Sequence, residues 1–377
     1  MKQDMIQEVM KSKFNFDKIS IYFPIIEQFK KVPQNPVYHG EGNVYNHTKS
    51  VCNSLEIIEE WNTFSEKEKG ILYIAALFHD IGKLYYTKIE DGKITSPKHA
   101  VKGAERFREF IYKECSNKFY LSFTDREQIA SLIRYHGLPL WFMEKRKIEF
   151  SLIKAANCLD MRLLYVLAKA DLLGRECNDK DKLLEKVNYF REYAKELDCF
   201  LSERKFANEY TKFQYLNEKV DWYGCELFDS TEFDVFVMSG FPLSGKDTYI
   251  EQNLNQYPII SLDDIRQEFD ISPKDGSAKV AAIAKERAKE FLRKKKSFVW
   301  NATNIIRDTR KKLCDLFMAY GARVTIIYIE APYEKLLERN KIRERTIPED
   351  VLEHMIYKWE MVENFEAYHV QYYITEE

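Results

Sequence analysis

Apolar residues return at three- and four-residue spacing through roughly the first two hundred positions. ILYIAALFHDIGKLYY, FTDREQIASLIRYHG and LIKAANCLDMRLLYVLAKADLLG all keep this rhythm with few β-branched runs, and a 3.6-residue period predicts helices. DKDKLLEKVNYFREYAKELDCFLSERKFANEY continues the pattern and predicts a long connecting helix. The rhythm lapses around DWYGCELFDSTEFD, which sets a boundary between a helical domain, 1–225, and a second domain, 226–377. From there strands and helices alternate. FDVFVMSG reads as a buried strand and KDTYIEQNL as a helix; YPIISLDDIRQEF is a strand entering a helix. KVAAIAKERAKEFLRKKK is helical, SFVWNATN a strand, TRKKLCDLFMAYG a helix closed by Gly321, and ARVTIIYIEA a further strand. Alternation of this kind predicts an α/β domain with a parallel sheet, right-handed crossovers and ligand at the carboxyl ends of the strands. The basic tracts RKKK (293–296) and RDTRKK (307–312) are expected on solvated helix faces.

Composition narrows the class of protein. With 45% hydrophobic and 31% charged residues, the 377-residue chain can fill the cores of more than one domain. No apolar run reaches the length of about eighteen residues that a membrane span needs, and the start, MKQDMIQEVMKSKFNF, does not read as a signal peptide. Seven cysteines without a CxxC pair are expected as reduced thiols, which suits a cytoplasmic protein. A formal net charge of −2 argues against coating long nucleic acid by bulk electrostatics but leaves room for a local basic patch that engages a strand end.

GFPLSGKDTYI, residues 240–250, follows a predicted strand and opens a predicted helix. There backbone N–H groups and the helix dipole converge on phosphate oxygens. Gly240 and Gly245 permit the turn around Ser244, and Lys246 is placed for the β- and γ-phosphates of ATP. A hydroxyl residue normally follows that lysine to meet Mg²⁺; here the position is Asp247, with Thr248 next. Mg²⁺ accepts carboxylate, so Asp247 is expected to contact the metal directly or through water, with Thr248 as second candidate. SLDDIRQEF (261–269) places Asp263, Asp264 and Arg266 where a strand meets a helix, fitting either a base with a phosphate anchor or a helix cap. In LLERNKIRER (336–345), Arg339 and Arg343 are four apart and are expected on one helix face.

In order and spacing, GFPLSGKD, DDIR, NATN (301–304), ERNKIRER and IPEDVL resemble the 5′-hydroxyl polynucleotide kinases of the phage type over roughly 233–360. The resemblance implies that Asp263 is the general base and that Arg266 holds the acceptor's 3′-phosphate. It also implies that Thr303 and Asn304 line the donor or acceptor pocket and that Arg339 and Arg343 are lid arginines. Asp247 departs from the pattern.

The helical half holds five of the seven histidines, anchored by the adjacent His79 and Asp80. Neighbours on a helix point about 100° apart and can grip one metal from one wall. Imidazole and carboxylate without thiolate favour Zn²⁺, Mn²⁺, Fe, Co²⁺ or Ni²⁺. The order His47, His79–Asp80, His99, His136, Asp171 resembles the two-metal HD phosphohydrolases over about 35–180. HAVKGAERF and LIRYHG are similar to segments of the HD domain of tRNA nucleotidyltransferases. The resemblance implies one metal on His47, His79, Asp80 and Asp171 and another on His99 and His136, with Asp80 bridging. Lys83, one turn after Asp80, either steadies a phosphoryl oxygen or faces solvent; His39 and His369 fit neither pattern.

Joined, the halves resemble the bacterial HD-domain polynucleotide kinases, which heal broken nucleic-acid ends. This implies a 5′-kinase and a 2′,3′-phosphatase or cyclic phosphodiesterase acting on RNA or DNA ends, in partnership with a separate ligase. Two other readings stay open: a nucleoside kinase fused to a nucleotidase, and a nucleotide-switched regulator.

Overall fold

The longer helices of the first half are α1 (Val44–Ser54), α2 (Glu66–Phe78), α3 (His99–Glu109), α4 (Phe123–Tyr135), α5 (Ile148–Ala156), α6 (Met161–Leu173) and α7 (Lys180–Glu196). They belong to a computed structural model that describes residues 2–272, 276–343 and 346–375. Ser65 starts α2 with a reciprocal capping box, its hydroxyl accepting from the Glu68 N–H while the Glu68 carboxylate accepts from the Ser65 N–H. Every residue from Gly70 to Phe78 is buried. A helix apolar on all sides belongs in the interior, and α2 packs against Met5–Lys11, α1, α4 and α6. Whatever follows Phe78 is therefore delivered into the middle of the helical unit.

The first half is not helical throughout. Lys88–Glu90 and Lys93–Thr95 pair as an antiparallel hairpin, turning at Asp91 and Gly92 with φ of 50° and 72°. The Asp-Gly dipeptide that favours such a turn was readable in the sequence; the strands are too short to show alternation. The expected connecting helix also stops early. It ends at Glu196, Asp198 takes a φ of 51°, and the Cys199 N–H returns to the Ala194 carbonyl.

The chain divides into two compact units, Met1–Lys205 and Phe206–Glu377, earlier than the expected 225/226. The reason lies in helix α8 (Glu209–Leu216). The Leu227 N–H donates to Thr211 Oγ1 at 2.9 Å, and Asn217 Nδ2 to the Phe365 carbonyl at 2.7 Å, fixing this segment to the second unit.

That unit contains β1 (Phe233–Ser239), α9 (Lys246–Asn253), β2 (Ile259–Ser261), α10 (Leu262–Glu268), α11 (Ser277–Arg293) and β3 (Phe298–Asn301). It continues with α12 (Arg307–Met318), β4 (Ala322–Glu330), α13 (Tyr333–Ile342), α14 (Glu349–Tyr357) and β5 (His369–Ile374). The five strands run parallel in the order β2-β3-β1-β4-β5. Strand β5, which carries His369, was not foreseen: HVQYYI is exposed or half-buried along its length and gives no buried-strand signal. Val237 pairs with Trp300 and with Ile326, so β1 is central. Met238, Val299, Ile327 and Ile329 pack with Ile250 of α9 and with Leu254 just past its end. This core holds α9 against the sheet and the turn before it at the strands' carboxyl ends. One basic tract departs from expectation. Arg310 is fully buried, bonded to Glu366 and to the carbonyls of Asn304 and Met361. The seven cysteines form no disulfide, and among the described residues no helix is long and apolar enough to cross a membrane.

Candidate functional site

Six side chains meet at the end of α2. His79 and Asp80 follow the helix directly, His47 comes from α1, His99 opens α3, His136 follows α4, and Asp171 lies in α6. His47 Nε2 lies 3.0 Å from Asp171 Oδ1, 3.2 Å from His79 Nε2 and 3.8 Å from Asp80 Oδ2. Asp80 Oδ2 is 3.3 Å from His79 Nε2, while its Oδ1 is 3.5 Å from His99 Nε2 and 3.9 Å from His136 Nε2. Two triads could thus hold metal ions, His47–His79–Asp171 and Asp80–His99–His136, and Asp80 turns one oxygen to each.

Local structure fixes which nitrogen faces inward. His79 Nδ1 lies 2.8 Å from the Ala76 carbonyl, His99 Nδ1 2.8 Å from that of Ser96, and His136 Nδ1 2.7 Å from that of Ile133. Each acceptor is three residues back, at a helix end or turn where carbonyls lack helical partners. A carbonyl only accepts, so Nδ1 carries the proton and Nε2 points its lone pair at the centre. Asp80 Oδ1 is buried without a hydrogen-bond donor, facing the Nε2 lone pairs of His99 and His136. Acceptors converging on acceptors need a cation between them, and the residues fit a divalent metal.

Electrostatics agree for Asp80, Asp171 and His136, whereas His79 is raised against its burial by the Asp80 and Asp171 carboxylates that face it. Burial opposes ionisation of Asp80, yet Lys83 and His79 hold its carboxyl well below the usual range. Asp171 is likewise depressed against its burial, by Arg175 and His47. Burial, reinforced by His79 and His99, pulls His136 down to about 3 and keeps it a neutral ligand. Lys83 Nζ lies 2.8 Å from Asp80 Oδ2 and donates to Gln34 Oε1 at 2.6 Å. Arg175 Nη2 lies 2.5 Å from Asp171 Oδ2.

Sequence reading passed over Glu41 and Arg175 and gave His39 no role. Glu41 Oε1 sits 2.7 Å from His47 Nδ1 and 2.8 Å from His39 Nδ1, orienting His47 as a carboxylate behind a metal-ligating imidazole does. Arg175 follows Asp171 by one helical turn, a spacing that was legible; Glu41 lies in an irregular loop and gave no signal. Gly82 matters for approach rather than conformation. A Cβ there would lie 2.0 Å from the His99 carbonyl oxygen and 2.9 Å from the Gly103 nitrogen, so only glycine lets α3 bring His99 to Asp80.

The second site is mostly backbone. Gly240 has φ 148°, and a Cβ on it would stand 2.3 Å from the Ile329 carbonyl oxygen; Gly245 has φ 105°. Ser244 Oγ is buried without a hydrogen-bond partner. Lys246 Nζ donates to the carbonyls of Phe241 at 2.7 Å and Gly240 at 3.2 Å. Burial pushes this lysine down to about 8, against the pull of the Asp247 and Asp263 carboxylates and with the push of Arg343. Charges of Asp263 and Arg343 therefore reach the loop.

Around it, Asp247 Oδ1 accepts from Asn301 Nδ2 at 2.7 Å, and Thr248 is exposed in the first turn of α9. Asp263 is exposed and Arg266 donates to the Ser272 carbonyl and Ser277 Oγ. Ser261, not the aspartate pair, caps α10. Arg339 Nη1 donates to the Leu243 carbonyl at 2.7 Å, closing over the loop. Arg343 does not share its helical face, because α13 ends at Ile342 and Arg343 is extended (φ −79°, ψ 137°). The rest of that motif, Glu344 and Arg345, lies outside the described residues. Asn304 is buried, with φ 44° and its Nδ2 on the Met238 carbonyl. Its amide ties it to β1, and the Thr303 carbonyl accepts from the Gly240 N–H.

Comparison with known proteins gives each unit a counterpart. Residues 44–162 match the model of the HD domain family, and residues 235–362 match that of an AAA domain. L-seryl-tRNA(Sec) kinase of Methanococcus maripaludis is 26% identical over 134 residues, 33% of this chain and 52% of that protein. The chain thus spans about half the length of that curated relative. The fold is a helical HD domain followed by a parallel five-stranded domain consistent with a P-loop kinase.

Proposed function

We propose that the chain is a bifunctional nucleic-acid end-processing enzyme. The second unit transfers the γ-phosphoryl group of ATP to a 5′-hydroxyl end, and the first removes phosphate, as monoester or cyclic diester, from 2′,3′ ends. A separate ligase would then use the healed ends. One observation carries this reading: two triads of metal-type donors, suited to removing phosphate, share a chain with a lysine-bearing glycine loop suited to adding it.

In the first unit, divalent metals of the Mn, Co, Ni, Zn or Fe type held by the six ligands would supply a deprotonated water and neutralise phosphoryl charge. The chain's own residues do the rest. Backbone carbonyls hold the imidazole Nε2 atoms inward, Arg175 fixes Asp171, and the Lys83 ammonium beside Asp80 meets a non-bridging oxygen of the substrate. In the second unit, Lys246 exchanges the carbonyls of Gly240 and Phe241 for phosphate oxygens of ATP, which are stronger acceptors. Gly240, Ser244 and Gly245 wrap those phosphates, and Asp247, with Thr248 beside it, would hold the Mg²⁺ that accompanies them. Asp263 takes the proton of the acceptor hydroxyl, Arg266 anchors the acceptor's phosphate, and Arg339 and Arg343 offset charge on the transferring group.

Likeness to L-seryl-tRNA(Sec) kinase supports phosphoryl transfer to a hydroxyl acceptor without choosing a polynucleotide end over a free nucleoside, which is the second reading. Labelled ATP offered with a 5′-hydroxyl oligonucleotide and with a free nucleoside separates the two. Label is expected on the oligonucleotide; transfer only to the nucleoside would overturn the first reading, and no transfer at all would favour a nucleotide-switched regulator.

A further inference from the structure

Mg²⁺ beside a phosphate loop is ordinarily held from two directions, by a hydroxyl on the loop helix and by an aspartate elsewhere in the domain. In this chain the loop-helix position carries a carboxylate, Asp247, in the first turn of α9. Its Oδ1 accepts from Asn301 Nδ2 at 2.7 Å. Asn301 is the last residue of β3. That strand lies against β1, which leads into the loop, with Trp300 opposite Val237. A strand end beside the loop is a natural place for the second, acidic direction, yet the residue there is a neutral amide.

The two departures compensate. A hydroxyl with a carboxylate offers one negative charge to the metal, and so does a carboxylate with an amide; every one of these groups offers an oxygen. Only the side from which the charge comes is different. On the loop helix the carboxylate lies at the positive end of the helix dipole, which offsets part of its repulsion from the phosphates. Its charge does reach the loop: burial lowers Lys246 to about 8, and Asp247, ahead of Asp263, opposes that shift. The Asn301 amide suits this arrangement in two ways. Its N–H aims the Asp247 carboxylate, as an outer hydrogen bond does for a metal-ligating carboxylate, and its neutrality avoids facing one carboxylate with another.

Resting on the kinase reading above, we infer that Asp247 and Asn301 are an exchanged pair: the loop helix carries the Mg²⁺-holding carboxylate in place of the end of β3, and Asn301 is the positioning residue that aims it. Mg²⁺ bound there would neutralise charge on the phosphates of ATP. A serine at 247 is accordingly insufficient in this chain unless an acid stands at 301.

A mutant cycle on the full chain tests this, comparing wild type with Asp247→Ser, Asn301→Asp and the double Asp247→Ser/Asn301→Asp. Titration calorimetry measures ATP binding in Mg²⁺ and in EDTA, and the ratio of the two affinities reads the hold on the metal without any turnover. Asp247→Ser should lose that ratio while binding ATP in EDTA at least as well as wild type, because a charge facing the phosphates is gone. Asn301→Asp alone should bind ATP several-fold more weakly in EDTA, where two carboxylates then adjoin the phosphates. Combined, they should recover the ratio to within about threefold of wild type. Asn301→Ala keeps the carboxylate without the group that aims it and should lower the ratio about tenfold. Misfolding would weaken both conditions alike and leave the ratio unchanged. An unchanged ratio in Asp247→Ser, or a double variant as low as Asp247→Ser, would overturn the exchange, and an unchanged ratio in Asn301→Ala would overturn the positioning role. Wild type that binds ATP equally with and without Mg²⁺ would overturn the exchange and leave the phosphate loop standing. Wild type that binds no ATP in either condition would overturn the loop reading and the exchange with it.

Discussion

The two sites are assembled from opposite materials. In the helical unit six side chains from five stretches of sequence converge, and the backbone only orients them: three imidazoles lean on carbonyls three residues upstream. In the α/β unit one stretch, 240–246, supplies the site through its own backbone, and side chains such as Arg339 close over it. Convergent side chains make a site that any one of several helices can disperse. A continuous loop makes one that fails locally. Separate units carrying separate chemistry should therefore answer differently to the same kind of change.

The largest contrast is expected from removing one central group on each side. Asp80→Ala should lower phosphatase activity by about a thousandfold or more and leave kinase turnover within about twofold, and Lys246→Ala should do the reverse. Assaying both activities on both variants checks it; loss of both from either change would erase the comparison. Next come the glycines. Gly82→Ala drives a Cβ into the His99 carbonyl and should cost about 2–4 kcal/mol with a matching loss of metal binding. Gly240→Ala, blocked by the Ile329 carbonyl, should abolish ATP binding without touching metal content. Calorimetric melting with metal analysis distinguishes them.

A smaller effect is expected behind the ligands. Glu41→Gln keeps the shape but removes the charge that aligns His47, and should weaken metal binding about 10–100-fold, read by titration against a chelating dye. The smallest expectation concerns protons. Because burial holds Lys246 near 8, about half of it is neutral at that pH and almost none at pH 6.5. Phosphate contacts favour the ammonium form, so ATP binding should take up protons at pH 8 to 9 and few at pH 6.5. Calorimetry in buffers of different ionisation enthalpy reads the sign, and proton release at pH 8 would contradict the placement of Lys246 on phosphate.

Legibility followed the same division. The loop could be read because its turn is made by contiguous residues, with its glycines and lysine close together in sequence. The metal-type donors could be picked out by residue type and order, although nothing in a linear string shows that His47 Nε2 lies 3.2 Å from His79 Nε2. Misreadings arose where a local rule met a tertiary decision. Arg343 was assigned to a helix that ends one residue earlier. Arg310 looked solvated until Glu366, 56 residues away, paired with it.

Hydrophobic period, glycine placement and the supply of imidazoles and carboxylates were written in the chain: a helical half, an alternating half, a phosphate turn and a set of metal-type donors. Tertiary packing alone chose which donors meet, which nitrogen each histidine turns inward, and where the first unit ends. Such choices depend on contacts between residues far apart in sequence, and those distances are set by the burial of α2 and the central place of β1.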